Sequence, residues 1–259
     1  MFKRICCSLV LAFLLAGTLY AADDPFCGKW KLNLEKSKFV GEQMKIQDLG
    51  GGKYTLTFGN VSDTIIADGT DQPVHFGRTV SITAEGPNGW KMVDKKDGKV
   101  MTSMTHTLSP DGKTQTIKGT ESKPDGTTSD FTSEFKRVSG SSGWAGTWER
   151  TSVKISSADE WEISAYEGDG LTFNTPAYND TLSMKFDGKD YEEKGPSVAP
   201  GSMSSGKRVD AHTLDVTDKI KGEVMDHTKF EVSQDGKTLT LTVHETGQPH
   251  AVTIVYNKM

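Results

Sequence analysis

The segment FCGKW at 26–30 returns as WAGTW at 144–148, and both copies place the pattern Gly-x-Trp at the start of an alternating apolar segment. A second pair of matching segments, SPDGKT at 109–114 and SQDGKT at 233–238, follows in the same order. Two landmarks repeated in one order indicate that a whole domain has been duplicated along the chain. Positions that the copies share are therefore candidates for structural roles, and positions that differ are candidates for function.

The boundary between the copies is predicted at SGSSG, residues 139–143, the one stretch made only of glycine and serine. Such a composition is typical of a short flexible linker. This predicts one domain over 23–138 and a second over 144–259. Each is long enough to bury one small core.

Residues 1–22 have the composition of an export signal. A basic pair at 3–4 is followed by an apolar run over 5–15, and Ala21 and Ala22 offer cleavage points. The apolar run is short for a membrane span, and no later segment is long and apolar enough to form one. We therefore expect an exported protein, periplasmic or secreted, whose leader is removed near these alanines.

The formal net charge of the sequence is −5, and it becomes more negative once the basic pair of the leader is removed. A negative protein is a poor partner for nucleic acid or for an anionic membrane surface, so neither is expected. Of the three cysteines only Cys27 lies beyond the leader, which leaves no internal disulfide. Cys27 fits a small buried residue beside Trp30, while a reactive thiol or an intermolecular bridge stays open.

Apolar and polar residues alternate with a period of two in many segments, for example at 54–58, 239–243 and 252–256. Such alternation predicts β-strands with one buried face, and the Asp-Gly pairs between them suit tight hairpin turns. No convincing amphipathic helix is present. We predict an all-β protein with about eight antiparallel strands in each copy. Closing them into two tandem up-and-down barrels would remove the unpaired strand edges.

The Gly-x-Trp segments resemble the calycin group of proteins, which includes lipocalins, fatty-acid-binding proteins and avidins. The first copy is also similar to lipocalin-like domains of secreted bacterial proteins, which contain Trp-x-Leu-Asn-x-x-Lys-Ser. Here that segment is WKLNLEKS at 30–37, and the second copy departs from it with WERT at 148–151. The resemblance implies two lipocalin-like barrels. The polar pattern of an avidin biotin site is not evident.

The same resemblance implies how one end of each barrel is closed. In these families an indole at the start of the first strand plugs the barrel, and a basic side chain from near the last strand lies on the ring. Lys136 or Arg137 would then meet Trp30 in the first copy, and Lys258 would meet Trp148 in the second. A cation over an indole contributes about 0.5–2 kcal/mol, so these contacts would help to seal the barrel.

Function is expected where the copies differ on the same inward face. The strand face that contains Met104 and His106 in the first copy contains Asp226 and Phe230 in the second. A histidine–methionine pair could ligate a metal or haem, although a hydrogen-bonded histidine beside a core methionine is the more common arrangement. The candidate lumen residues are Phe58, Met104, His106, Phe135, Phe173, Phe230 and Tyr256.

Other chemistry has no support in the sequence. The remaining histidines show no H-x-H or H-E-x-x-H spacing, so neither a metal site nor a cofactor is predicted. No nucleophile motif and no Gly-rich phosphate loop is present. The pairs Asp159-Glu160 and Glu192-Glu193 are of a kind that is usually solvated, which disfavours two-carboxylate glycoside chemistry. The protein is therefore predicted not to be an enzyme.

Together these expectations favour an exported, non-enzymatic protein that binds a small hydrophobic molecule inside a barrel, with a group such as His106 orienting it. A structural or adhesive envelope module with filled barrels is the alternative from another class. A barrel isomerase or cyclase is the third, and it would need two convergent titratable groups inside one barrel. A lumen above roughly 300 Å³ would favour binding, and a lumen filled by phenylalanines would favour the structural role.

Overall fold

The structure is a computed structural model that describes residues 24–259, so the predicted leader over 1–22 lies outside the described residues. Within 24–259 the protein is all-β, with one short 3-10 segment at His75–Gly77. None of the helical structure in this part of the chain is long and apolar enough to cross a membrane.

Twenty strands account for the regular structure of the described chain. Those of the first half are β1 (Gly28–Leu32), β2 (Gln43–Gly50), β3 (Lys53–Phe58), β4 (Val61–Ile66), β5 (Gln72–Val74), β6 (Arg78–Ala84), β7 (Gly89–Lys96), β8 (Lys99–Leu108), β9 (Thr114–Ser122) and β10 (Thr128–Ser139). Those of the second half are β11 (Gly146–Ile155), β12 (Glu160–Tyr166), β13 (Gly170–Thr175), β14 (Asp180–Met184), β15 (Tyr191–Lys194), β16 (Ser202–Asp210), β17 (Thr213–Ile220), β18 (Glu223–Val232), β19 (Thr238–Glu245) and β20 (Val252–Lys258).

The strands form two antiparallel barrels of ten strands each, so the predicted number of about eight is wrong. The N barrel consists of β2 to β11, and the C barrel consists of β1 together with β12 to β20. The shortest strands explain the low count, because β5 has three residues and β15 has four. A segment that short shows too little alternation to be recognised in a sequence.

Main-chain pairing closes the C barrel completely, whereas the N barrel lacks a ladder between β4 and β5. The Gln72 side chain bridges that place. Its Oε1 accepts a hydrogen bond from Ile66 N at 2.8 Å, and its Nε2 donates one to Ile66 O at 2.7 Å. A side-chain amide thus satisfies the two main-chain groups that a neighbouring strand would otherwise pair, and the N barrel is nearly closed.

Each barrel takes its first strand from the other repeat. Strand β1, from the first repeat, pairs with β12 and β20, which places Trp30 opposite Lys258. Strand β11, from the second repeat, pairs with β2 and β10, which places Trp148 opposite Arg137. The two repeats have therefore exchanged their first strands within one chain.

The sequence predicts that the Ser/Gly stretch 139–143 connects the two barrels, but the structure places it elsewhere. It leads from β10 into β11, and these two strands pair in the N barrel. The chain crosses between the barrels at 33–42 and again at 156–159. The ranges 23–138 and 144–259 are thus sequence repeats, and each barrel combines strands of both.

The barrels meet end to end. Residues in or next to the turns after β3, β7 and β9 of the N barrel contact residues in or next to the turns after β17, β15 and β13 of the C barrel. The contacts are hydrogen bonds from Asn60 Nδ2 to Val224 O (3.4 Å), from Lys96 Nζ to Val198 O (2.5 Å) and from Asp125 N to Ala177 O (3.2 Å). We call these the facing ends of the barrels and the opposite ends the outer ends.

Each barrel has its own buried core, and each core includes the Gly-x-Trp tryptophan of the exchanged strand. In the C barrel Trp30 belongs to a cluster with Leu171 and Leu214, and in the N barrel Trp148 belongs to a cluster with Ile82. The exchanged strands therefore contribute their largest apolar side chains to the barrel that they enter. Burial of side chains of this size is the main term that stabilises such a core.

Candidate functional site

Trp30 closes the outer end of the C barrel. Its side chain is fully buried, its Nε1 donates a hydrogen bond to the Phe26 carbonyl at 2.8 Å, and Lys258 Nζ lies 5.0 Å from the ring centroid. Gly28 makes this contact possible, because a Cβ there would lie 2.7 Å from Lys258 Cε. Its φ of +138° also favours glycine. In the Gly-x-Trp pattern the tryptophan is therefore the plug, and the glycine leaves the space that the Lys258 side chain needs.

The N barrel has the same plug, built from the second copy. Trp148 is fully buried, its Nε1 donates to the Trp144 carbonyl at 3.0 Å, and the guanidinium carbon of Arg137 lies 4.1 Å from the ring centroid. Arg137 also donates hydrogen bonds to the carbonyls of Gly112 and Ala145. The plug therefore combines a cation–π contact with main-chain hydrogen bonds to two loops of the outer end.

The predicted pairing of cations and tryptophans within each copy is wrong. The strand exchange gives Trp148 to Arg137 and Trp30 to Lys258, each from the opposite repeat. Lys136, the other candidate, forms an ion pair with Glu149 at 2.8 Å. The four residues predicted to close the barrels do form the plugs, in the exchanged combination.

The lumen of the N barrel is packed with side chains. His106 and Gln115 are both almost completely buried, and Gln115 Nε2 lies 3.0 Å from His106 Nδ1. Burial lowers the pKa of His106 to about 4, so its imidazole is neutral at pH 7. Met104 and Phe135 belong to the core cluster of this barrel, and Phe58 is half-buried outside it. His106 is thus a hydrogen-bonded histidine beside a core methionine.

The C barrel brings together the other three predicted aromatic residues and adds Trp161. The Trp161 ring lies 5.0 Å from Tyr256, 6.2 Å from Phe230 and 6.2 Å from Phe173, measured between centroids. Phe173 and Phe230 are 5.9 Å apart. The interplanar angle is 28° for Trp161 and Phe230 and 78° for Trp161 and Phe173, so these rings border a space from different directions.

That space is a cavity of about 150 Å³ in the lumen of the C barrel. Trp161, Phe173 and Phe230 form its aromatic wall, and the carboxyl groups of Asp180, Glu193 and Asp218 lie on its lining. Its remaining lining residues are Thr175, Leu182, Met184, Ser204 and Val216. The cavity therefore joins an apolar wall to an acidic one.

The acidic wall follows from strand alternation. On β17 the side chains of Leu214, Val216 and Asp218 share one face, and the last of them ends that face with a carboxyl. Asp218 is opposite Asp226 on β18, and Asp226 is opposite Glu245 on β19. Three neighbouring strands thus present a carboxyl on the same inward side of the sheet.

Burial raises the pKa of each of these carboxyl groups. Burial first, and then the Asp226 carboxyl, raise the pKa of Asp218 to about 7, although a hydrogen bond from Ser204 Oγ at 2.5 Å opposes the shift. Burial also raises the pKa of Asp226 and of Glu193. Burial, with Glu42 and Asp226 nearby, raises the pKa of Glu245 to about 7.

In the N barrel the position that matches Asp218 is Asp94, and a basic side chain neutralises its carboxyl. Asp94 is opposite Val80 just as Asp218 is opposite Ser204, and Asp94 Oδ2 lies 2.6 Å from Arg78 Nη1. Arg78 stands two residues before Val80. The residue two before Ser204 is Ser202, which has no charge. The C barrel therefore keeps the carboxyl without the arginine.

The sequence interpretation missed this acidic wall. Glu193 belonged to a pair expected to be solvated, yet β15 turns it inward and leaves only its neighbour Glu192 exposed. Asp226 was recognised as inward-facing, and the same alternation along β17 pointed to Asp218. Aspartates at strand ends also occur in turns, and for this reason their inward orientation was not recognised.

Within residues 24–259 no three histidine, cysteine, aspartate or glutamate side chains converge as a metal site. No protein-family model, no curated protein and no solved structure matches this chain.

Proposed function

We propose that the protein binds a small molecule and that the cavity of the C barrel is its site. The observation that carries this proposal is a space of about 150 Å³ left between Trp161, Phe173 and Phe230 beside the buried core of the C barrel. Protein interiors are close-packed, so a space bordered by large rings and polar groups needs a reason. Aromatic walls with a few polar groups are the usual lining of a ligand site.

The cavity limits the size of the ligand. Its volume corresponds to about five water molecules in the liquid. Sites for drug-sized ligands have roughly 300–1,000 Å³, and the lumen volume above roughly 300 Å³ that was expected to favour binding over a structural role is not reached. We therefore propose that the small molecule expected from the sequence is a compact one.

The N barrel has a structural role in this proposal, because its lumen is packed around His106 and Gln115. The plugs of Trp30 and Trp148 support a lipocalin-like origin for both barrels, in agreement with the resemblance of the Gly-x-Trp segments. The leader over 1–22 supports export of the protein. On this view the duplication kept one barrel as a scaffold and the other as a binding site.

One observation favours acid–base catalysis as a second candidate function. Asp218 and Asp226 face each other inside one barrel, and the pKa of Asp218 is raised to about 7. Two interacting carboxyl groups inside one lumen can supply a general acid and a general base. A bound molecule that the protein converts into another compound would support this candidate, and one recovered unchanged would support binding alone.

Binding is tested by ligand-observed NMR with the protein lacking residues 1–22 and a set of compact organic molecules, both charged and neutral. The variant Thr175→Phe fills the cavity with the residue that ends the corresponding strand β3 of the N barrel, Phe58. Thr181→Phe makes the same change on the adjacent strand β14, at a position between the cavity residues Asp180 and Leu182.

We expect at least one compound to bind the wild type and the Thr181→Phe variant, and to lose binding in Thr175→Phe. If no compound in the set binds, or if Thr175→Phe binds as well as the wild type, the C barrel cavity is not a ligand site.

A further inference from the structure

We propose that the ligand of the C barrel cavity is a compact organic cation of the alkylammonium class, held between the aromatic rings and the lumenal carboxylates. This inference rests on the proposed function, because it names the chemical class of the molecule that the cavity holds. The cavity supplies a partly enclosed space, and its two walls supply the selectivity. Acidic residues without such a space would not define a site.

The aromatic wall suits a cation. Trp161 and Phe230 are inclined by only 28°, and Phe173 stands at 78° to Trp161, so the cavity is bordered by rings in two orientations. The face of an aromatic ring carries negative electrostatic potential and attracts an ammonium group, most strongly where water is excluded. Several rings around one space are the arrangement that proteins use for quaternary and alkylated ammonium groups.

The opposite wall has negative charge that no side chain on the cavity lining balances. Asp180, Glu193 and Asp218 line the cavity, and no lysine, arginine or histidine of residues 24–259 is among the lining residues. Asp226 and Glu245 continue the acidic row on the next two strands. Asp218 accepts a hydrogen bond from the hydroxyl of Ser204 and shares a second one with the carboxyl of Asp226, and neither partner carries a positive charge.

The nearest basic groups are engaged elsewhere. Lys96 Nζ, which acts on Asp180 from the facing end of the N barrel, donates to the Val198 carbonyl at 2.5 Å. Arg150, near Glu245, forms an ion pair with Glu42. His227 is exposed and lies 2.9 Å from Thr217 Oγ1, so it faces away from the lumen. None of these groups reaches into the cavity as a counter-ion.

The N barrel shows what the C barrel lacks. There the matching carboxyl of Asp94 has Arg78 at 2.6 Å, and a neutral Thr102 stands in the place of Asp226. One copy thus has a balanced pair, and the other has two acids and no arginine. A buried charge needs a partner, and a cation from solution would serve in the C barrel as Arg78 serves in the N barrel.

Cation binding also predicts an exchange of protons. Because burial and repulsion keep Asp218 partly protonated near neutral pH, a bound cation would favour its ionised form and release a proton. A neutral ligand of the same shape would release none. Proton release on binding is therefore a signature that distinguishes a charge-specific site from a merely apolar one.

The test compares choline with 3,3-dimethylbutan-1-ol, a neutral compound of nearly the same shape in which carbon replaces the quaternary nitrogen. Both are titrated into the protein lacking residues 1–22 by calorimetry at pH 7 in two buffers of different ionisation enthalpy. Asp218→Asn and Glu193→Gln each remove one lumenal charge. Asp215→Asn is the control, because Asp215 is exposed on the outer face of the same strand.

We expect choline to bind at least tenfold more tightly than its neutral analogue, with proton release. Each lumenal substitution should weaken choline binding at least fivefold, and Asp215→Asn should leave it unchanged. Circular dichroism confirms that the variants are folded.

Equal affinity for the two compounds would overturn the cation class and leave the binding proposal standing. Binding of neutral compounds without any binding of choline would have the same two consequences. Choline binding that survives Thr175→Phe would place the site outside the cavity and overturn the inference. If neither this pair nor any compound of the NMR set binds, the inference and the proposed function fail together.

Discussion

Lys258, next to the last residue of the chain, lies 5.0 Å above the ring of Trp30, which comes from the first strand of the described segment. This contact joins the beginning of one repeat to the end of the other. The matching contact of Arg137 with Trp148 joins the two repeats in the opposite sense. The barrels consequently share their plugs, and neither can form its complete sheet from one repeat alone.

Removal of the Trp30 ring should destabilise the C barrel. It should not destabilise the N barrel, although the N barrel contains the other strands of the same repeat. Trp30→Ala empties a fully buried aromatic site, and the loss is expected to be about 3–5 kcal/mol of unfolding free energy. Hydrogen exchange should speed up first in β12 to β20. Trp148→Ala should instead affect β2 to β10. Faster exchange of β2 to β10 in Trp30→Ala would show that the strands are not exchanged.

Gly146 should tolerate no side chain. Its φ is +149°, and a Cβ would lie 2.3 Å from the Ser139 carbonyl oxygen and 2.8 Å from Arg137 Nη1. Gly146→Ala is therefore expected to lower the unfolding free energy by about 2–4 kcal/mol, through strain and loss of the Arg137 contact. Gly143→Ala is the control, since Gly143 also has a positive φ and a Cβ there meets nothing within 4 Å. Similar losses in urea denaturation would argue against a plug-specific role for Gly146.

The buried polar pair of the N barrel should be replaceable by the apolar pair of the C barrel. Among the described residues neither His106 Nε2 nor Gln115 Oε1 has a hydrogen-bond partner. Their counterparts are Phe230 and Leu239. The double change His106→Phe with Gln115→Leu should raise stability by about 1–2 kcal/mol at pH 7, because it removes unpaired buried groups. Gln115→Leu alone should lower it, because His106 then loses its remaining partner.

The same pair gives a pH test. The pKa of His106 is lowered from 6.5 to about 4 in the folded protein, so only the unfolded chain binds its proton between these values. Stability is therefore lost as the pH falls through this window and is unaffected by His106 above it. The double variant should show a smaller loss than the wild type between pH 6.5 and 4. Thermal unfolding at several pH values measures this loss of stability. An identical loss in the wild type and the double variant would contradict the lowered pKa of His106.

Asp218 should have the opposite pH dependence. Its pKa rises from 3.8 to about 7 on folding, so the folded state binds the proton more tightly. Its favourable contribution is fully present below pH 3.8 and is lost as the pH rises to about 7. Asp218→Asn stays neutral and should exceed the wild type in stability by about 2 kcal/mol at pH 8, with the difference shrinking toward pH 4. Asp215→Asn should show no such trend. A difference independent of pH would refute the burial of this carboxyl.

The sequence was sufficient for the all-β class, the duplication and the two plugging tryptophans, because these depend on local alternation and on a rare residue in a fixed pattern. The exchange could not be predicted, since both copies begin with Gly-x-Trp and either first strand suits either barrel by its own residues. What decides between them is the course of the chain at 33–42 and 139–143. The Ser/Gly composition of 139–143 fits a hairpin as well as a linker.

The candidate site was half predictable. Phe173, Phe230 and Tyr256 were recognised because aromatic residues on an inward strand face usually enter a core. Trp161 was not predicted as a lumen residue. It lies on β12, the strand that pairs with the exchanged β1. Glu193 and Asp218 have turn-like composition around them, and only the barrel closure turns both toward one space.

The central claim, that the first strand of one repeat completes the barrel of the other, is tested most directly by cysteine cross-linking in a Cys27→Ser background. Lys31 is opposite Asn257 on β20, and the position equivalent to Asn257 in the N barrel is Lys136 on β10, opposite Glu149. Opposed residues of antiparallel strands lie about 5.5 Å apart, within the range that a disulfide spans. Oxidation should link positions 31 and 257 in Lys31→Cys with Asn257→Cys, and no link should form in Lys31→Cys with Lys136→Cys. A disulfide between positions 31 and 136 would contradict the exchange.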